Sequence, residues 1–459
     1  MHGPRPAYPR ELTILDLLAR NAATTPDAIA LVALNGDGTR STELTFSEMT
    51  LRVNDAAAAL CAAAVTSAQA VDGARWIMVV LPQGLHQVLA VWSAMRAGCG
   101  YVPVDADTST QRLRVLIEET SPAVLIGAVT NSALASVAAD LNVPLATFEE
   151  GGALTCCTAA TTTAARATPP MLPSMPSPHD YALLLYSSGS TGTPKGIMYD
   201  HRWLMGGSWF VAQDMGLASA SRCLLRCSYV WSVSLYDLYP ATMMGGTLFI
   251  PPRGGHLNVQ FIAETIERES IHAIVIQPTL LNLLLDEHSN SANSYPLRSL
   301  RHVVSSGEKL FTSTAVAFLA APGLNARLWN MYGATEAGCT YFACQKEEDN
   351  SQWLAQHPIG VPAGVPQSYI DVYVMRHSSG AASSESSGAL IDELHPVPAG
   401  ETGEICFGGG DDAGFLARGY WKKPELTGEK FLHTRSYGRL YRTGDVGRWH
   451  RQGGQIVVE

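Results

Sequence analysis

The sequence predicts an α/β fold in which helices cover both faces of a parallel sheet. Three observations carry this. Short apolar runs alternate with helical segments, the alternation resumes after a Thr/Ala/Pro-rich break, and the chain finishes in short strand-like runs separated by glycines. Residues 11–33 open the pattern as a helix. RWIMVVLP (75–82) reads as a strand, HQVLAVWSAMRAG as a helix and YVPVD (101–105) as the next strand. RLRVLIEET then reads as a helix and AVLIGA as a strand. After the break, Tyr181–Leu185 is a buried strand, followed by IHAIVIQP, a helix through LLNLLLDEH, and LRHVVSSGEK. ETGEICFGG, RLYRTGDVGRW and GGQIVVE close the chain as short strands with Gly-rich turns.

These runs divide the chain into a first α/β segment (1–160), a linker (155–180) and a second α/β segment (181–376). A low-complexity surface loop (377–392) and a β-rich segment (393–459) follow. With 459 residues, 46% hydrophobic and 16% charged, the chain can bury large cores. A net charge of −10 argues against a nucleic-acid binder. No apolar run is long enough to span a membrane, and the N-terminus has no apolar signal core, so a cytoplasmic location is expected. The nine cysteines have no zinc-like spacing and read as reduced, mostly buried thiols.

The stretch YSSGSTGTPKG (186–196) sits directly after the buried Tyr181 strand. It is not a Walker loop, because Gly196 follows Lys195 where Ser or Thr would stand. Its glycines let backbone N–H groups approach a polyphosphate, its hydroxyls add donors and Lys195 adds charge. By itself it is either a phosphate loop or a surface turn.

That stretch resembles the phosphate-binding signature of the adenylate-forming (AMP-binding) superfamily, in the form of nonribosomal peptide synthetase adenylation domains. LTFSEM (44–49), MRAGCGYVPVD (95–105), NMYGATE (330–336), GEICFGGGDDAGFLARGYW (403–421) and YRTGD (441–445) resemble further elements of that family, in the same order. The resemblance implies a large N-terminal core of two βα-type sheet subdomains flanked by helices, plus a small distorted β-barrel. It also implies ATP and Mg²⁺ as cofactors. Ser188, Gly189, Ser190, Thr191, Gly192, Thr193 and Lys195 would surround the β- and γ-phosphates. Tyr332 would stack on adenine beside Asn330, with Gly307 and Glu308 as the opposite wall. Thr335 would contact the α-phosphate, Glu336 would bind Mg²⁺ and Asp445 would take the ribose hydroxyls. Lys195, Thr335 and Glu336 are thus the candidate catalytic residues.

In amino-acid-activating relatives, a Phe-Asp-x-Ser element supplies a carboxylate for the substrate ammonium. Here the same register gives Trp231-Ser232-Val233-Ser234, and Asp237 falls where the family often has Glu. Ser232 cannot form an ion pair, and an unpaired desolvated ammonium costs several kcal/mol, on the order of a buried charge left without its partner. A keto, hydroxy, aryl or other acid is expected rather than an ordinary L-α-amino acid. The register adds Val233, Tyr236, Val275, Val304, Ser306, Met331, Cys339 and Thr340 as pocket candidates, each of which can equally be a core residue.

In the family, a hinge and a mobile C-terminal subdomain with a catalytic lysine follow the last strand seen here. Neither is in the 459 residues. The chain is therefore expected to bind ATP and acid but to adenylate poorly by itself. The absence of a condensation-type region before residue 12 suggests a first module or a free-standing enzyme. The acyl group would pass to phosphopantetheine on a carrier domain, in cis or in trans. Two alternatives stand beside this: an acyl-CoA ligase, and an inactive nucleotide-binding or scaffold remnant.

Overall fold

The computed structural model describes residues 1–67, 73–149, 152–157, 172–187, 194–290, 297–377, 394–409, 415–450 and 454–459. The chain folds into three sheets. In the eight-stranded sheet, Tyr181–Ser187, Gly100–Pro103, Trp76–Val80, Val124–Gly127 and Leu145–Phe148 run parallel, in that order across the sheet. Antiparallel strands close both edges. In the nine-stranded sheet, Ile29–Leu34, Thr247–Ile250, Arg222–Leu224, Ala273–Ile276, His302–Ser305 and Arg327–Gly333 form the parallel centre. The third sheet is a six-stranded antiparallel half-barrel built from residues 371–458.

The sheets do not follow the order of the sequence segments. Ile29–Leu34, from the first segment, lies beside Thr247–Ile250 of the second, and Tyr181–Ser187 lies beside Gly100–Pro103. Residues 154–157, at the start of the stretch read as a linker, form a strand on Leu145–Phe148. Residues 158–171 and most of the 377–392 loop (378–392) lie outside the described residues.

Side-chain alternation explains the layering. In Ala273–Ile276, Ala273 and Val275 join a central apolar cluster, while Ile274 and Ile276 join an outer one. In Trp76–Val80, Ile77 and Val79 face the same central cluster and Trp76, Met78 and Val80 face a third. One apolar layer is therefore shared between the two large sheets, which brings the carboxyl ends of their parallel strands to a common crevice.

Residues 11–33 are not one helix. The helix spans Ile14–Thr24, opened by a capping box between Thr13 and Asp16, and Ile29–Leu34 is a strand. Pro26 cannot continue the helical ladder, and the apolar run after it is short enough for a buried strand. Eight of the nine cysteines are free thiols, six of them buried. Among the described residues no helix is long and apolar enough to cross a membrane.

Candidate active site

A cavity of about 680 Å³ opens where the His302–Ser305 and Arg327–Gly333 strands end. Clefts at the carboxyl ends of parallel strands are the usual ligand sites of α/β sheets. It brings together Ser306, Gly307, Glu308, Asn330, Tyr332 and Thr335 on one side. Ser232, Val233, Tyr236, Met331 and Cys339 line it as well. Val275, Val304 and Thr340 do not line it. They are 3%, 0% and 0% exposed, inside the sheet beneath.

Each wall is fixed by its own bonds. The chain turns after Ser306 through Gly307, whose φ of 90° favours glycine. Glu308 is held by the Thr279 hydroxyl, which donates to Oε2 at 2.6 Å. Asn330 donates both amide hydrogens to the carbonyls of Val361 and Pro362, at 3.2 and 2.9 Å. Its oxygen is thus the part suited to an exocyclic amine. The Tyr332 phenol donates to Asp445 Oδ2 at 2.7 Å, joining the nine-stranded sheet to the half-barrel. Burial and the adjacent carboxylate both push that phenol's pKa up, so it stays a donor.

The turn that presents Asp445 is fastened from below. Glu404 accepts from Arg442 Nη2 at 2.8 Å and Nε at 3.0 Å, and from the Gly444 N–H at 3.0 Å. Thr443 donates to the Ile405 carbonyl at 2.7 Å. Glu404 lies in the matched GEICFGG element, yet nothing in that motif signals this contact. Tyr420 is a second unanticipated residue. Its hydroxyl donates to Glu336 Oε1 at 2.7 Å, and the Gly419–Tyr420 strand pairs with Lys195–Asp200. The ARGYW part of its motif was the available signal. Lys309, also unanticipated, lines the large cavity.

Thr335 touches both sides of the site. Its Oγ1 lies 3.1 Å from Ser232 Oγ, and its carbonyl accepts from the buried Tyr199 hydroxyl. Asp237, the other possible carboxylate, does not line the large cavity. Its Oδ2 accepts the backbone N–H groups of Arg226 and Cys227 at 2.9 and 2.8 Å. Burial raises its pKa to about 7 against the lowering effect of those N–H donors.

Lys195 begins the strand Lys195–Asp200, opposite Ser187. Ser188, Gly189, Ser190, Thr191, Gly192 and Thr193 lie outside the described residues. The loop therefore joins two antiparallel strands rather than a strand and a helix. Among the described residues no group of three acidic, His or Cys side chains could enclose a metal.

A profile of AMP-binding enzymes matches residues 18–421. A mycosubtilin synthase protein of Bacillus subtilis is 28% identical over 456 residues, covering 96% of this chain but 15% of that protein. The chain thus spans a small part of that relative. The nonribosomal peptide synthetase FmoA3, in its alpha-methyl-L-serine-AMP bound form, is 25% identical with a TM-score of 0.76. That match covers 100% of this chain and 45% of the other. The fold also matches the Klebsiella oxytoca NpsA N-terminal subdomain in complex with 3-hydroxybenzoyl-AMSN. There the TM-score is 0.71 at 19% identity, over 99% of each chain. With the profile covering most of its length, the chain belongs to the AMP-binding enzyme family.

Proposed function

We propose that this chain activates a carboxylic acid other than an ordinary L-α-amino acid as an acyl-adenylate, for loading onto the phosphopantetheine of a carrier domain. One observation carries the choice of acid. The sequence register puts Ser232 where the ammonium partner would stand, its hydroxyl is hydrogen-bonded to Thr335, and the carboxylates that line the cavity, Glu308 and Glu459, bond Thr279 and Thr402 instead. Asp237 does not line this cavity, and its Oδ2 holds two backbone N–H groups. Tyr236, Val233, Met331 and Cys339 suit a neutral or aromatic acyl chain.

In the reaction, a carboxylate oxygen forms a bond to the α-phosphorus of ATP, and the bond to pyrophosphate breaks. Lys195 and the glycine-rich loop would offset charge growing on the leaving group. Thr335 would hold the α-phosphate while its hydroxyl bond to Ser232 orients the acid. Asp445 would take the ribose hydroxyls and Tyr332 would flank the adenine. Glu336 would hold Mg²⁺ together with phosphate oxygens, a donor set of the hard oxygen type this ion takes.

A pyrophosphate-exchange panel tests the reading. Keto, hydroxy or aryl acids should exceed the common L-α-amino acids, and the reverse ranking would sink it. A thioester assay separates the acceptors: a holo carrier should be loaded, whereas free coenzyme A taken in its place would assign the chain to the acyl-CoA ligases.

A further inference from the structure

We infer that the crevice holds a second binding subsite, for a carboxylate-type anion, built on the buried guanidinium of Arg226. A separate cavity of about 320 Å³ adjoins the large one, and Trp231 and Val233 line both. It lies past the carboxyl ends of Trp76–Val80, Gly100–Pro103, Arg222–Leu224, Thr247–Ile250 and Ala273–Ile276. Strands of both large sheets therefore converge on it, as they do at ligand sites of this fold class.

Arg226 is 1% exposed and lines this cavity. Its Nε donates to the Val275 carbonyl at 2.5 Å, and its Nη2 to Gln277 Oε1 and to Cys227 Sγ. All three acceptors are neutral. Among the described residues no carboxylate forms an ion pair with the guanidinium, and Nη1 makes no hydrogen bond. Asp237 hydrogen-bonds the backbone of Arg226 and acts on its side chain only through space. A buried cation with no carboxylate bonded to it is costly, and an arriving anion that bonds it directly lowers that cost.

One more group points the same way, His256, whose Nδ1 is buried, lines the cavity and has no hydrogen-bond partner among the described residues. Gln83 Oε1 is also unpartnered there, an acceptor that suits a water beside the anion rather than the anion itself. Such orphans around an open space mark a place for a ligand or its water. At the rim Asp107 and Arg253 neutralise each other at 2.7 Å, and Asp105 is exposed. Asp105 also acts through space on His256, so the lining is balanced in formal charge and Arg226 is its buried cation. A planar guanidinium can grip a carboxylate or phosphate by two parallel bonds.

The anion has two sources. It is the far carboxylate of a diacid whose reacting end sits in the large cavity, which rests on the function proposed above, or it is a free small anion, which does not. Calorimetric titration of the full chain with glutarate, acetate and inorganic phosphate, each with and without AMP, decides. At least one probe should bind, and Arg226→Met should weaken it about tenfold, near one lost charged contact. Leu257 is 63% exposed at the rim, so Leu257→Glu should fold normally and weaken binding severalfold by repulsion. Glutarate tenfold tighter than acetate supports the diacid, and equal binding of acetate or phosphate supports the free anion. No binding by any probe, or binding unchanged in Leu257→Glu and in a folded Arg226→Met, overturns the subsite. AMP binding, measured in the same cell, reports on the nucleotide reading separately.

Discussion

The two halves of the large cavity are built differently. On the side holding Tyr332 and Glu308, Lys309, Arg448 and Glu459 also line the wall, and Tyr332 is bonded to a carboxylate. Glu336, close by in sequence, is held by Tyr420. On the side holding Trp231, Val233, Tyr236, Met331 and Cys339 there is no formal charge, and the polar link between the halves is the Ser232–Thr335 hydroxyl pair. One half carries charged side chains and the other carries none. In the function proposed above the first takes the charged nucleotide and the second a neutral chain, where exclusion of water and fit decide.

Glu336→Gln breaks the comparison most severely. The amide keeps the size of the side chain and its contact with Tyr420 but loses the charge. Acyl-adenylate formation should fall roughly 10²–10³-fold, the range for removing one preorganised electrostatic contact. The melting temperature should hardly change, and pyrophosphate exchange against magnesium concentration checks this.

Asp445→Ala and Glu404→Gln separate contact from support. Removing Asp445 should weaken AMP binding about 10–100-fold, as for one or two charge-assisted hydrogen bonds. Glu404 touches Arg442 and Gly444 rather than the cavity. Its substitution should raise the AMP dissociation constant only about threefold, with a small loss of stability as the Arg442 pair goes. Equal effects in calorimetry would mean that Glu404 does more than hold the turn.

Ser232→Asp sharpens the contrast instead. It places a carboxylate where the serine hydroxyl now lies 3.1 Å from that of Thr335, the one change that gives the neutral half a charge. Exchange with L-α-amino acids should rise about tenfold relative to the matching keto acids, the worth of roughly one charged pair. An unchanged ratio would show that ammonium recognition lies elsewhere.

The same contrast governs what is legible in the sequence. The matched motifs keep fixed residue types at fixed spacing, so Tyr332, Thr335 and Asp445 can be singled out from their neighbours in the chain, and the structure bonds Tyr332 to Asp445. Val275, Val304 and Thr340 cannot be separated from core residues, because a strand's two faces look alike when both are buried. Ile29–Leu34 reads as part of a helix because an apolar run carries no period, and its partner Thr247–Ile250 lies far away in sequence. Arg226 is invisible for the opposite reason. A lone arginine beside a strand normally reads as solvated, and only the packing around it shows otherwise.

Asp237 supplies the smallest effect and the cleanest sign. It stands under the loop that leads from Arg226 to Ser232, and burial raises its pKa to about 7. The unfolded chain loses this proton near the ordinary value of 3.8, while the folded chain keeps it until about 7. Between those values the folded state binds more protons, so this carboxyl lowers stability as pH rises through the window and adds no further slope above it. Asp237→Asn has no such proton and keeps an oxygen for the two backbone N–H groups. The melting temperature of the natural chain should therefore drop relative to the variant by about 3 °C between pH 5 and pH 8, given the size of the chain. Parallel curves would mean that Arg226 and the two N–H donors hold Asp237 ionised, and would remove it as a source of pH dependence in the loop that carries Ser232.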